Sequence, residues 1–259
     1  MTEPVPAHVL HLVRTACLVE SRASSYSRYL ARVFEPRGWS PVFERWGAEE
    51  EHHGRALGTW LGAHDPHFDV DATFTRYLSL VPYHSDESES VYGSEQGELV
   101  ARCFVEAMAA TYYQAVGAGA VDAPALRAVC KRLAADEARH YTMFRRLLEQ
   151  LRAGEGAQFD EARAVVWRRL RSLSDEQIIT ASWLARGAPG TFSLTREAWF
   201  YRLQMARLYR PRHARFVWRL VRPLVTSSHA RGGGLPVHGR VDAQDDARQA
   251  QSSLRGEAA

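Results

Sequence analysis

Two short segments of the sequence place a glutamate three residues before a histidine, Glu50 with His53 and Glu137 with His140. Three residues make almost one helical turn, so each pair projects from one side of a helix. Apolar residues at helical spacing flank the second pair, which indicates that this side faces the protein core: Leu126, Val129, Leu133, Phe144, Leu147 and Leu151. A buried, unpaired carboxylate is costly. The pattern therefore predicts that a cation lies beside these residues.

Two further glutamates stand at matched distances from these pairs. Glu20 lies 30 residues before the glutamate of the first pair, and Glu106 lies 31 residues before that of the second. The midpoint of each interval falls in a segment predicted to turn, at 35–39 and at 117–124. Residues equidistant from the turn of an antiparallel hairpin lie at the same height. Each lone glutamate is therefore expected to be level with its Glu-x-x-His pair.

Packing of the two hairpins would gather four carboxylates and two imidazoles in one layer of the core. These six candidate ligands are Glu20, Glu50, His53, Glu106, Glu137 and His140. Four carboxylate charges balance two divalent cations, and mixed oxygen and nitrogen donors favour Fe(II) over Mg or Ca. One Glu from each of two helices and Glu-x-x-His from the other two is the carboxylate di-iron pattern. The alternative is a set of surface ion pairs on a plain helical bundle.

The hydrophobic periodicity predicts an all-α fold, because alternation of period two is almost absent. The helices expected to carry the candidate ligands are 7–34, 41–62, 94–116 and 124–152. The connection 63–93, with a helical segment at 72–80, has the length of a crossover between hairpins. We therefore expect a ferritin-like four-helix bundle with a long crossover.

Additional helices are predicted after this core, at 158–171, 174–186 and 195–221. Their tryptophans are expected to anchor them to the bundle: Trp167, Trp183, Trp199 and Trp218. Two helix starts are predicted from capping residues, Asp122 before the fourth helix and a capping box at 174–177. The expected organisation is one helical domain over 1–222, with a di-iron core at 7–152 and accessory helices at 158–222. A disordered tail is expected over 223–259.

Composition is that of a globular protein, with 46% hydrophobic and 24% charged residues among 259. We expect no membrane span, since no apolar run approaches about 20 residues. We expect no secretory signal, since residues 1–12 have no basic segment followed by an apolar one. Three scattered cysteines (Cys17, Cys103 and Cys130) are expected to be buried thiols in a reducing cytoplasm.

Residues 196–222 contain eight arginines and one acid, Glu197. This imbalance favours an acidic partner, although a solvated helix face would look the same.

The residues around the candidate ligands resemble a known family. Residues 46–54 read Trp-Gly-Ala-Glu-Glu-Glu-His-His-Gly, and residues 136–140 read Asp-Glu-Ala-Arg-His. These segments are similar to the W-x-A-E-E-x-x-H-G and D-E-x-R-H helices of the soluble acyl-carrier-protein desaturases, in the ferritin-like superfamily. Glu20 followed by Tyr26, and the segment 104–106, resemble that family's first and third helices. The likeness covers about residues 7–152.

The resemblance implies that the six candidate ligands hold two iron ions, with Glu50 and Glu137, or Glu106 in place of one, bridging them. It implies an enzyme that uses O2 and two electrons to desaturate an acyl chain on acyl carrier protein. A ferredoxin-type protein would donate the electrons, and we expect a homodimer. Asp136 and Trp46 fall where the family has a hydrogen-bond chain outward from a ligand histidine, a candidate electron path; Trp46 is equally expected to be plain core.

The sequence departs from the family at one position of the third helix. The family carries a threonine one turn after the glutamate, where this chain has Ala109; Thr111 is expected to point away. Small residues beside the candidate ligands leave room for a substrate or permit close helix packing: Ala16, Ala23, Ala109 and Ala110.

Several other functions fit parts of the pattern. A di-iron N-oxygenase would need a histidine where Leu133 stands. A tRNA-modifying hydroxylase would also use a basic surface, although we do not expect nucleic acid as the partner. The remaining alternatives are another ferritin-like monooxygenase, a ferritin-like iron-binding or storage protein, and a helical interaction module without metal.

Overall fold

The computed structural model describes residues 4–81, 87–171 and 175–226, and every regular element in these ranges is a helix. The α-helices of the described residues are α1 (Ala7–Glu20), α2 (Ala23–Val33), α3 (Ser40–His64), α4 (Val70–Leu80), α5 (Glu95–Gly119), α6 (Pro124–Glu155), α7 (Phe159–Arg171), α8 (Glu176–Ala185), α9 (Leu194–Leu208) and α10 (Pro211–Val225). The predicted all-α helical bundle is therefore confirmed.

Four helical rods form the core of the bundle: α1 continued by α2, then α3, α5 and α6. The first rod and α3 make one hairpin, and α5 and α6 make the other. The long connection between the hairpins contains α4, which packs against α1, α3 and α8. This arrangement is the expected four-helix bundle with a long crossover.

The first predicted helix, 7–34, is interrupted, which the sequence reading missed. The hydroxyl of Ser21 donates to the carbonyl of Cys17 at 2.7 Å, and the backbone N–H of Ser21 reaches the same oxygen at 3.1 Å. Such a serine offers the backbone an alternative to regular helical bonding. The helix resumes at Ala23, so Glu20 is the last residue of α1.

The predicted helix 195–221 is in fact two helices, α9 and α10. Tyr209 and Arg210 are extended, and Pro211 begins α10. Proline has no N–H to donate, and it forces the preceding residue out of the helical region. The second helix continues to Val225, so the beginning of the predicted tail is helical. Residues 227–259 of that tail lie outside the described residues.

Three of the four tryptophans expected to be anchors are not buried. Trp183 is buried, but Trp167, Trp199 and Trp218 are 57%, 62% and 53% exposed. Helical spacing identified the helices without identifying which side of each one faces the bundle.

The two predicted caps had different outcomes. Asp122 is not the cap of α6, because that helix begins after Ala123 with Pro124 in its first turn. Asp175 caps α8 by accepting a hydrogen bond from the backbone of Gln177 at 3.1 Å; the first residue of the predicted capping box, Ser174, lies outside the described residues.

All three cysteines are free and buried, as expected. No helix among the described residues is both long and apolar enough to cross a membrane.

Two glycines of α3 allow the first rod to approach closely. A Cβ atom on Gly47 would lie 2.4 Å from Cβ of Ser27. A Cβ atom on Gly54 would lie 2.6 Å from Oγ, 2.8 Å from the backbone nitrogen and 2.9 Å from Cα of Ser21. Because Ser21 directly follows Glu20, the contact at Gly54 fixes the height and depth of that carboxylate.

Replacement of Gly54 by alanine should therefore destabilise the fold. The new methyl group meets backbone atoms, which cannot rotate away, and overpacking of this kind costs about 1–3 kcal/mol. Chemical denaturation measures the free energy of unfolding. Gly62→Ala is the matched control, because it lies on the same helix with nothing within 4 Å of the added atom; it should be neutral or stabilising. Equal effects of the two substitutions would contradict the close contact at Gly54.

Candidate metal centre

The six candidate ligands come from all four rods of the core. They lie as follows along the chain: Glu20 at the end of α1, Glu50 and His53 on α3, Glu106 on α5, and Glu137 and His140 on α6. Five of the six are buried, and Glu20 is partly buried. The structure therefore brings together every residue that the sequence selected for the site.

The candidate ligands form two groups that share two carboxylates. One group contains Glu20 and His53, the other contains Glu106 and His140, and both contain Glu50 and Glu137; within each group one ligand atom per residue lies within 4.8 Å of all the others. Each group could hold one metal ion. In such a pair of sites the shared carboxylates are placed to contact both ions.

The Nδ1 atoms of both histidines face the carboxylates. Nδ1 of His53 lies 3.1 Å from Oε2 of Glu50 and 3.2 Å from Oε1 of Glu137. Nδ1 of His140 lies 2.7 Å from Oε1 of Glu50 and 3.5 Å from Oε2 of Glu137. Two buried carboxylates thus contact two imidazoles in a compact layer.

Several of these atoms lack the hydrogen bonds that buried polar atoms normally make. Oε1 of Glu50, Oε1 of Glu137 and Nδ1 of His140 are buried, and their contacts within the cluster, although close, lack the geometry of a regular hydrogen bond. Buried polar atoms without regular hydrogen bonds are uncommon in proteins, and coordination of a metal ion would satisfy these. Lone pairs of carboxylate oxygen and imidazole nitrogen directed at common points suit a divalent metal. The residues present therefore fit a pair of metal ions.

The outer nitrogens of the two histidines contact acids on the opposite helix. Nε2 of His53 lies 3.3 Å from Asp136 on α6, and Nε2 of His140 lies 3.0 Å from Glu49 on α3. Arg139 donates to both acids, at 2.6 Å and 3.1 Å. With each Nε2–H donated outward, Nδ1 keeps its lone pair for a metal.

Glu49 is one residue that the sequence analysis did not assign to the site. The residue is partly exposed, yet it holds the ring of His140 as Asp136 holds the ring of His53. A signal was present in the sequence: each acid immediately precedes the glutamate of a Glu-x-x-His pair.

Trp46 does not take part in a hydrogen-bond chain with Asp136. Its ring meets the ring of His140 edge-on, with centroids 6.5 Å apart, and packs against Phe144 at 5.4 Å. Its Nε1 is buried and has no hydrogen-bond partner among the described residues. Trp46 therefore belongs to the apolar packing beside the centre, and only Asp136 makes the predicted contact with a histidine.

Tyr113 is a second residue that the sequence reading did not assign to the site. Its hydroxyl donates to Oε1 of Glu20 at 2.5 Å, and the residue is buried. Tyr113 lies seven residues after Glu106 on α5, which is two helical turns, so it shares that ligand's face. Helical spacing thus puts Tyr113 on the ligand face of α5, but it does not indicate that the hydroxyl contacts Glu20.

The surroundings shift the pKa values of the carboxyl groups in opposite directions. Burial raises the pKa values of Glu20 and Glu106 well above the usual range, and the neighbouring charges of Glu50 and Glu137 raise them further. Burial would also raise the pKa of Glu50, but the two histidines outweigh it and hold this pKa below its ordinary value. In the absence of a cation, Glu20 and Glu106 therefore retain their protons at pH values at which Glu50 is already ionised.

The histidines have raised pKa values for the same electrostatic reason. Burial alone would lower the pKa of His53, but hydrogen bonds to Glu137 and Glu50 raise it to about 11. The pKa of His140 is also raised, because Glu106, Glu137 and Glu50 outweigh its burial. Without metal, protons thus supply the positive charge that the carboxylates require.

A groove with a cavity volume of about 890 Å³ opens beside the candidate ligands. Faces of α1–α2, α5 and α9 supply most of its apolar walls: Ala16, Val19 and Ala23; Val105, Met108 and Ala109; Tyr201, Met205 and Tyr209. All four candidate carboxylates also line the groove: Glu20, Glu50, Glu106 and Glu137. Of the four small residues noted in the sequence, three leave room in this groove, whereas Ala110 is buried elsewhere in the core.

Thr111 does not line the groove, as expected. Its hydroxyl is 2.8 Å from the hydroxyl of Tyr209 and donates to the carbonyl of Met108 at 2.9 Å. Thr111 therefore links the end of α9 to α5 by hydrogen bonds.

Leu133, the position that distinguishes the N-oxygenase pattern, is buried in apolar core.

No protein-family model matches the sequence, and no curated protein is significantly similar to it. The function must therefore be argued from the geometry of the site.

Metal binding should release protons and tighten as the pH rises. The carboxyl groups of Glu20 and Glu106 and both histidines must lose protons before they can bind an ion. All four have raised pKa values, so their protons are held at neutral pH and are removed more easily at higher pH. Calorimetric titration with Mn(II), in buffers of different protonation enthalpy, counts the protons released. Binding that releases none and does not depend on pH would contradict the arrangement.

Removal of the charge from either outer acid should weaken metal binding. Asp136→Asn and Glu49→Gln each remove the carboxylate that orients a histidine, and such changes typically cost about 10–100-fold in metal affinity. The control is Glu51→Gln, on the same helix, whose carboxylate lies 3.8 Å from Arg55 and contacts no candidate ligand. Competition against a chelator of known affinity measures the effect. An effect of Glu51→Gln as large as that of Glu49→Gln would refute the positioning role.

Proposed function

We propose that the protein is a di-iron oxidoreductase that uses O2 and two electrons to desaturate, or otherwise oxidise, an acyl chain carried on acyl carrier protein. The observation that carries this proposal is the position of the candidate ligands in the wall of a long apolar groove. An ion-binding layer buried without a groove would suit a structural or storage role equally well. A groove of this size gives an organic substrate access to the ions.

The donor set supports iron as the metal. Four carboxylates and two imidazoles provide mixed oxygen and nitrogen ligands, which suit Fe(II) better than Mg or Ca. The charge of two divalent ions matches that of the four carboxylates. Bound iron would supply the redox chemistry that activates O2, and the protein supplies orientation and a dry environment.

The shape of the groove supports an elongated apolar substrate. Its wall on α5 extends from Arg102 to Tyr113, a distance of eleven helical steps or about 16 Å along the helix. Glu106 lies within this span, so a chain in the groove would pass the candidate ligands partway along its length. Alanine, methionine and tyrosine side chains line the groove there, so the carbon atoms of such a substrate would lie beside the candidate ligands.

The arginine-rich segment supports an acidic partner. All eight arginines of residues 196–222 are exposed, whereas Glu197 is buried and pairs with Arg186 and Arg196. The exposed charge of this segment is therefore uniformly positive. Arg202 lies in the wall of the groove, so the same surface reaches the substrate site. An acidic carrier protein and an acidic ferredoxin-type donor both suit such a surface, by complementary charge.

The activity can be tested directly on carrier-bound chains. Iron-loaded protein, incubated with saturated acyl carrier proteins, reductant and air, should remove two hydrogen atoms from the chain or add one oxygen atom, as measured by mass spectrometry. Glu137→Ala and His140→Ala should abolish both iron loading and product. Leu133→Asp should lower the free energy of unfolding by more than either, because it puts a charge into apolar core. Full iron occupancy in the ligand variants would overturn the assignment.

Obstruction of the groove should separate iron binding from turnover. Ala109→Phe puts a ring into the groove from a partly buried position of α5, one turn after Glu106, without replacing a ligand. The variant should retain iron and lose product by at least about tenfold, a barrier change of about 1.4 kcal/mol. Ala135→Phe, at an exposed position of α6, is the control for adding a ring to the surface. Unchanged turnover in Ala109→Phe would contradict the groove as the substrate site.

A further inference from the structure

The two candidate metal positions are related by an approximate symmetry that one contact breaks. Each position has a histidine, a lone glutamate and the two shared carboxylates. The lone glutamate of the first position, Glu20, accepts a hydrogen bond of 2.5 Å from the hydroxyl of Tyr113. No hydroxyl group among the described residues donates to Glu106, whose nearest ion-pair partner is Nδ1 of His140 at 3.7 Å. The two lone glutamates are thus held differently.

The contact with Tyr113 is firmly positioned. Tyr113 is 1% exposed, and its ring packs edge-on against that of Tyr112, with centroids 5.3 Å apart. Glu20 stands at the end of α1, where the close approach of Gly54 to Ser21 limits its movement. Movement of either partner would therefore disturb packed neighbours.

We propose that Tyr113 makes the two metal positions inequivalent, because its hydroxyl holds one oxygen of Glu20 by a hydrogen bond and thereby favours coordination through the other oxygen, whereas no such donor among the described residues holds Glu106. This inference rests on the proposed metal centre. An ion held by Glu20 and His53 would then have fewer carboxylate oxygens available to it than its neighbour. Glu20 is the candidate ligand that is only partly buried, and it lines the groove. The first position is therefore the binding site for a small exogenous ligand, such as an anion or water, that enters from the groove. Tyr113 acts as a positioning residue, through Glu20.

Mössbauer spectroscopy of the anaerobic Fe(II)-loaded protein tests the inequivalence. The unmodified protein should show two quadrupole doublets of equal area, one for each position. Tyr113→Phe frees the second oxygen of Glu20, so the doublets should converge. Tyr112→Phe is the matched control, because the adjacent hydroxyl donates to the backbone carbonyl of Leu12 at 2.7 Å and touches no ligand; its two doublets should remain.

Addition of azide provides a second measurement, on the unmodified protein, that does not depend on any variant folding. Azide should shift one doublet and leave the other in place. Two ions per chain with a single doublet, or an equal response of both doublets to azide, would overturn the inequivalence. Two doublets unchanged in Tyr113→Phe would overturn the role of Tyr113. Iron content below one ion per chain would instead overturn the proposed metal centre, so the two failures are distinguishable.

Discussion

The structure depends on a charge imbalance at the centre of the helical bundle. Four carboxylates converge there with two imidazoles, so even doubly protonated histidines leave two negative charges without a partner. Buried charge of this kind is expensive unless it is neutralised. Protons on Glu20 and Glu106 balance the cluster when no cation is bound. Two divalent ions would balance four ionised carboxylates equally well, and they would also satisfy the buried oxygen and nitrogen atoms that lack regular hydrogen bonds.

The surrounding fold holds this cluster in place from both sides. On the outer side, Glu49 and Asp136 fix the histidine rings, and Arg139 joins the two acids across α3 and α6. On the inner side, the glycine contact at Gly54 and the phenol of Tyr113 fix Glu20 at the edge of the groove. Rigidity on the outer side and access on the inner side are the two requirements of a site that must both hold ions and admit a substrate.

The sequence was sufficient to predict the helical bundle and all six candidate ligands, because both depend on periodic spacing along single helices and on intervals about turns. Contacts between distant segments were not predictable in this way. Glu49 and His140 are 91 residues apart, and nothing periodic relates them. The break after Glu20 occurs where the hydroxyl and the N–H of Ser21 share the carbonyl of Cys17, and the exposure of Trp199 depends on which side of α9 faces the bundle. Such details come from packing in three dimensions.

The most direct test of the account is the location of bound iron. Crystals of the protein loaded with Fe(II) under anaerobic conditions, measured at the iron absorption edge, would show each ion as a peak of anomalous scattering. The account predicts two peaks per chain at the layer of Glu50 and Glu137, one on the side of His53 and one on the side of His140. The absence of peaks in this layer, or peaks confined to the protein surface, would contradict it.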